Sequence, residues 1–367
     1  MKTTATEYPV SNPAVPRGVG VAILVIAASV IGACSTPAPK GPARGTEVQP
    51  RFETEALQLQ GGPADVAVWT NQDNPAASLI MAGDNASGLH IYGSNGQSLH
   101  SSPIKGLSRI DPLGLDRSGD SARLLVGAIN PVRDQLVVLA MDPTSGEVRS
   151  APVDIEGLDF EPVAICATAL VGGTSDAFVA SESGTLARYT ISVPRFGSGV
   201  EVQAAGQADI APGITDCVAD RMRRALWIAV KGSGIWQLPL RLDADSRPEL
   251  VARVDARRLE SVGGLAILRA RGEAMLLASS PADGSFSAFE LGSGRFQGGI
   301  TRITEGSRWH GRFHIVASNG IDDVTGNYGL GAGGGMLVVR DGRDEPGGGQ
   351  NFKIVAIDEV RDALDNQ

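Results

Sequence analysis

The sequence predicts an all-β protein, and three observations carry that expectation. Glycine is abundant, at 47 of 367 residues, while aromatic residues make up only 5%. Many glycines without long helical periodicity mean many turns between short strands. Apolar residues reach 42% against 20% charged, enough to bury a sizeable core. The third observation is a unit that recurs along the chain. It consists of an apolar strand ending in a small residue, a polar turn containing glycine, and a second strand with alternating side chains.

The chain opens with an address rather than a fold. Gly18 to Ile31 is one apolar run preceded by Lys2 and Arg17 and followed by Gly32, Ala33 and Cys34. At about 14 residues the run is short of the about 20 that a membrane-spanning helix needs. Residues 1–33 therefore read as a lipoprotein signal peptide, with Cys34 as the lipid-anchored residue. The other reading is an ordinary signal peptide with an incidental cysteine. Residues 34–50, rich in Pro, Gly, Ala and Thr, read as a flexible tether, and 51–367 as the folded domain. The expected location is the cell envelope, lipid-anchored, at the outer membrane or facing the periplasm. The membrane contact is expected through that lipid, and the protein is expected to be a monomer. The net charge of -9 argues against a nucleic-acid partner, which needs a basic face.

The recurring unit appears six times in chain order. Its copies are Leu79–Gly83 with Gly88–Tyr92, Arg123–Ala128 with Leu136–Met141, and Ala177–Ser181 with Thr185–Thr190. They continue as Ala225–Val230 with Gly234–Leu238, Ala274–Ser279 with Ser285–Phe289, and a looser Met336–Arg340 with Phe352–Ala356. The copies start roughly 45 to 62 residues apart, near the length of a four-stranded propeller blade. The expected fold is thus a six-bladed β-propeller with four-stranded antiparallel blades. A two-sheet sandwich would not repeat hairpins at this interval, and a parallel β-helix would need far shorter coils. In a propeller the innermost strands line a central channel, so a functional site should draw residues from equivalent positions of several units. Trp69, Trp227 and Trp236 fall on strands and read as packing between blades.

The wording of the repeats resembles the β-propeller phytases. The resemblance is carried by Asp65–Trp69, by Gly88–Tyr92 followed by Asn95, Gly96 and Gln97, and by Thr215–Asp220. It continues through Gly234–Trp236, Gly264-Leu265 with Leu277–Ser280, Asn319–Asp322 and Gln350–Val355. Such a resemblance implies hydrolysis of phosphate monoesters of inositol hexakisphosphate (phytate) with Ca²⁺ as cofactor. Calcium is a hard cation that takes about six to eight oxygen ligands, so channel carboxylates would hold it and it would hold the phosphates.

Residue by residue, the resemblance assigns Glu55, Asp65, Asn319 and Asp322 as metal positions, and Asp111, Asp216 and Arg133 as catalytic or phosphate-holding positions. Asp111 stands in Ser-Arg-Ile-Asp, where the family reads Asn-Asn-Val-Asp. Asp216 replaces a glutamate by the shorter acid, and Asn319 replaces an aspartate. The family's Lys-Lys pair reads Asn85-Ala86, its Glu-Glu pair reads Val230-Lys231, and its Asp-Ile-Glu-Gly reads Ser261–Gly264. These departures leave a second function in view, a catalytically degenerate propeller that binds a ligand or partner in the cell envelope.

Cys166 and Cys217 lie just before the hairpins of the third and fourth units. Adjacent inner strands in an oxidising compartment would let them form a disulfide. The other reading is two buried thiols. His310 and His314 flank Gly311 and read as a solvated loop. Gly331–Gly335 reads as an inter-strand turn, since it lacks the Lys-Ser/Thr of a phosphate loop.

Overall fold

The computed structural model describes residues 46–57, 65–149, 153–155, 158–194, 199–243, 245–270, 273–303, 314–316, 335–341 and 351–367. The chain enters through two short strands, β1 (Thr46–Val48) and β2 (Phe52–Glu53). Blade 1 is β3 (Asp65–Trp69), β4 (Leu79–Asp84), β5 (Gly88–Gly93) and β6 (Ser98–Ser102). Blade 2 is β7 (Arg109–Asp116), β8 (Arg123–Asn130), β9 (Gln135–Met141) and β10 (Val153–Ile155). Blade 3 is β11 (Pro162–Ala167), β12 (Thr174–Ser181), β13 (Thr185–Ser192) and β14 (Glu201–Asp209). Blade 4 is β15 (Ile214–Asp220), β16 (Ala225–Val230), β17 (Gly234–Pro239) and β18 (Glu249–Arg253). Blade 5 is β19 (Leu265–Ala270), β20 (Glu273–Ser280), β21 (Ser285–Glu290) and β22 (Phe296–Ile303). Blade 6 is β23 (His314–Val316), β24 (Met336–Asp341) and β25 (Asn351–Ala356), completed by β2.

All six expected hairpins are present as the middle two strands of their blades. Each inner strand adjoins the next, from β3 through β7, β11, β15 and β19 to β23, and β23 returns to β3. The architecture is a closed six-bladed propeller. Six apolar layers separate the blades, and each draws on two neighbouring sheets. This explains why the middle strands are apolar on both faces. Ala225-Leu-Trp-Ile-Ala-Val230 is buried throughout because its alternate side chains enter two different layers. Trp69 packs between blades 1 and 2, Trp227 between 4 and 5, and Trp236 against the layer between 3 and 4, as expected.

The hairpin turns need glycine where two backbones meet. Gly88 opens β5 at φ +105°, and a Cβ there would sit 2.2 Å from the Ser102 carbonyl oxygen. Gly234 opens β17 at φ +135°, with the Ala252 carbonyl oxygen 2.0 Å from where a Cβ would be. Only a residue without a side chain fits both demands.

The ring closes at its ends. β2 pairs antiparallel with β25 and is the outer strand of blade 6. Lys353, with a side chain 9% exposed, places Nζ 2.7 Å from Glu53 Oε1 on β2 and 3.5 Å from Asp341 Oδ2 on β24. Asn351 Nδ2 donates to the other Glu53 oxygen at 2.9 Å. β1, inside the segment expected as a tether, pairs parallel with β22 as a fifth strand of blade 5.

Two further features depart from the expectations. A C-terminal helix, α1 (Ile357–Asp365), packs Ile357, Val360, Ala363 and Leu364 into the layer between blades 5 and 6. Gln367 just beyond it hydrogen-bonds both the N–H and the carbonyl of Gly299 on β22. His314 is not on a loop: it begins β23 and pairs with Arg340. His310 and the turn through 331–334 lie outside the described residues.

Candidate functional site

Three of the acids singled out from the sequence lie on inner strands near one end of the channel. Asp65 is the first residue of β3, Asp111 the third of β7 and Asp216 the third of β15. Asp65 and Asp216 occupy matching places, each opposite a residue one short of the hairpin, Gly83 and Ala229.

Each acid spends one oxygen on the next blade. Asp65 Oδ2 accepts from the Ile110 N–H at 3.0 Å, Asp111 Oδ2 from the Ala167 N–H at 2.7 Å, and Asp216 Oδ2 from the Leu265 N–H at 2.7 Å. A carboxylate on the inner strand of blades 1, 2 and 4 thus ties it to its successor. Between blades 3 and 4 the tie is covalent. Cys166 on β11 and Cys217 on β15 form a disulfide with Cα atoms 5.7 Å apart. This is the pairing expected from adjacent inner strands.

The three acids lie within reach of one another's charges. Burial raises the Asp65 carboxyl, opposed chiefly by the charge of Arg109. Burial also pushes Asp111 well above the ordinary range, and the charges of Asp65 and Asp216 add to the rise. Asp216 is pushed up to about 7 by burial and then by the charge of Asp65. Like charges crowded in a poorly solvated space resist joint ionisation.

Two arginines act on Asp65. Arg109, on β7, donates from Nε to the Val163 carbonyl of blade 3 at 2.9 Å and from Nη1 to Asp65 Oδ1 of blade 1 at 3.4 Å. Arg340, on β24, is 6% exposed. Its guanidinium is pulled down to about 10 by burial and by the charge of Arg109, with Asp65 acting in the opposite sense. Neither arginine was singled out from the sequence.

The remaining expected residues lie elsewhere. Glu55 is exposed, and its charge acts on Tyr92 rather than on the three channel acids. Arg133 is exposed on the turn between β8 and β9. It lines a groove of about 410 Å³ with Asn85, Lys105, Asn130 and Gln135, between the hairpin tips of blades 1 and 2. Asn319, Asp322 and Cys34 lie outside the described residues. At the far ends of the inner strands is a separate hollow of about 510 Å³. It is lined by Trp69, Leu113, Leu170 and Val218 and by the buried ion pair of Arg269 with Asp220 at 2.8 Å.

The described residues do not make a calcium site by themselves. No three of His, Cys, Asp or Glu among them converge as a metal-holding group. Asp65, Asp111 and Asp216 each have one oxygen committed to a backbone N–H, and the other oxygen of Asp65 faces Arg109. That falls short of the roughly six oxygens calcium requires.

Fold and site together define a six-bladed propeller with acids and arginines, partly or fully buried, gathered at one end of its inner strands. Comparison with known proteins places that class more narrowly. The chain belongs to the phytase family, whose model matches residues 18–367. It is 26% identical to the 3-phytase of Bacillus subtilis (strain 168) over 317 residues, covering 82% of this chain and 80% of that protein. Among solved structures, the PQQ-bound aldose sugar dehydrogenase of Streptomyces coelicolor is similar at a TM-score of 0.51 and 14% identity. That match covers 86% of this chain and 99% of the other, and at that identity it speaks to the fold alone.

Proposed function

We propose that the protein is a phytase-like phosphomonoester hydrolase acting on inositol hexakisphosphate or a related phosphorylated polyol. The observation that carries this reading is the position of Asp65, Asp111 and Asp216 at the same end of three inner strands, within reach of one another's charges, in a chain of the phytase family. Asp216 is placed to handle a proton near neutrality, which is what a group assisting water attack or leaving-group departure needs. The groove of Arg133 and Lys105 offers two cations beside the hairpin tips, where further phosphates of a densely anionic substrate would rest. Calcium is the cofactor the family resemblance implies.

The test is phosphate release from inositol hexakisphosphate by the full chain, with calcium and with chelator, beside Asp216→Asn. Release in either condition, lost in the variant, sustains the reading. No release from a folded sample in both conditions removes it. The second reading, a propeller that only binds a ligand or partner in the cell envelope, is favoured by the commitment of all three acids to backbone N–H groups.

The envelope location is a separate proposal. It rests on the apolar run Gly18–Ile31 followed by Cys34. Mass spectrometry of the amino terminus should find a diacylated cysteine at position 34. An unprocessed terminus or a cut elsewhere would remove the anchor.

A further inference from the structure

We propose that Arg109 anchors an oxyanion site that holds a phosphate group directly, with no metal ion between, at the acid-bearing end of the channel. This rests on the phytase-like reading of the same channel and names the group that meets the phosphate.

Arg109 belongs to the inner strand of blade 2, yet its guanidinium touches the inner strands of both neighbours, Val163 O on blade 3 and Asp65 Oδ1 on blade 1. Its side chain is still 35% exposed, and Nη2 has no partner among the described residues. Two bonds therefore fix the plane of the guanidinium while Nη2 stays available to a ligand.

A preset planar edge suits an oxyanion. Guanidinium N–H groups form paired, charge-assisted bonds to phosphate, and an edge already oriented loses little freedom on binding. The 3.4 Å bond to Asp65 is long for such a pair, so it competes weakly with an incoming phosphate oxygen. Arg340, on blade 6, is close enough that the charge of Arg109 depresses its guanidinium. Asp65 feels both arginines. In a protein of net charge -9, this places two cations within electrostatic reach of each other at one carboxylate. The charge that a bound metal would contribute toward phosphate is here part of the chain.

The experiment is calorimetric titration of inorganic phosphate into the full chain in excess chelator. Saturable binding is expected. Arg109→Gln should weaken it roughly tenfold or more, the loss expected for a charge-assisted contact, while Arg109→Lys keeps part of the affinity. Asp65→Asn should tighten binding, because it removes the competing carboxylate and keeps an acceptor for the Ile110 N–H. No saturable binding in chelator would overturn the proposal, as would Arg109→Gln binding as well as wild type. Weaker binding in Asp65→Asn would also overturn it. Should Arg109→Gln fail to fold, Arg109→Lys and Asp65→Asn still decide with opposite signs. Hydrolysis is read on the same samples. Phosphate binding without turnover keeps the site and removes the hydrolase reading. Turnover only with calcium, and no binding in chelator, keeps the hydrolase and removes the site.

Discussion

Reducing the bond between Cys166 and Cys217 should loosen the whole ring, because it removes the covalent tie between blades 3 and 4. The bridged residues are 51 apart in sequence. For a closed loop of that length, chain entropy gives a stabilisation of about 4 kcal/mol at 25 °C. Spread over a domain of this size, that corresponds to a fall in melting temperature of about 6 °C. Both cysteines are buried in the layer between blades 3 and 4, so the free thiols would still pack as small apolar groups and offset little of the loss. The assay is thermal and urea unfolding of the full chain with and without reductant, beside the Cys166→Ser/Cys217→Ser pair. Thiol counting on the unfolded, non-reduced protein should find neither cysteine free. A melting shift below about 1 °C, or two free thiols, would refute the argument that this tie carries stability.

Other outcomes follow from the same structure. Asp216 binds its proton more tightly folded than unfolded, its carboxyl rising from 3.8 to about 7. Its stabilising effect is therefore full below about pH 4 and is lost as the pH climbs through about 7, by at most about 4 kcal/mol and less where channel water screens it. Urea unfolding in chelator across that range should show the slope in wild type and a flatter one in Asp216→Asn; parallel profiles would contradict it. Lys353→Met takes away the cation that Glu53 and Asp341 share and should cost about 3 kcal/mol, with Glu53→Gln in the same chain recovering part of it. Gly88→Ala meets both an unfavourable φ and the Ser102 carbonyl, so it should cost more than about 2 kcal/mol by thermal unfolding. An unchanged melting temperature would show that the first hairpin shifts without strain.

The fold was legible because a blade is mostly local. Strands such as Leu124 to Ile129 and their partners after a short turn carry apolar runs and glycines that can be read without knowing what they pack on. The channel acids were legible through the resemblance. What escaped notice is what joins distant parts. Arg109 reaches Val163 across 54 residues and Asp65 across 44, and no local pattern marks such a bond. The one sign was Ser-Arg-Ile-Asp where the family reads Asn-Asn-Val-Asp. α1 was missed although Ile357, Val360, Arg361 and Leu364 keep helical spacing, because nine residues after a strand are easily taken as its tail. β1 was missed because three residues carry too little pattern, and its partner lies beyond residue 298.

The way the ends interlock has a consequence for biosynthesis. β1 and β2, the first of the described strands, find their partners only in the last third of the polypeptide, with Glu53 and Lys353 separated by 300 residues. A nascent chain can zip blades 1 to 5 as they appear, yet β1 and β2 must wait for blades 5 and 6 to be made. Loss of even the final strand would leave β2 without its ladder, so a prematurely terminated product should be an open arc rather than a smaller ring. Pairing across such a span is slow relative to local hairpins, and the edge strands stay exposed to sticky side reactions until the last residues arrive.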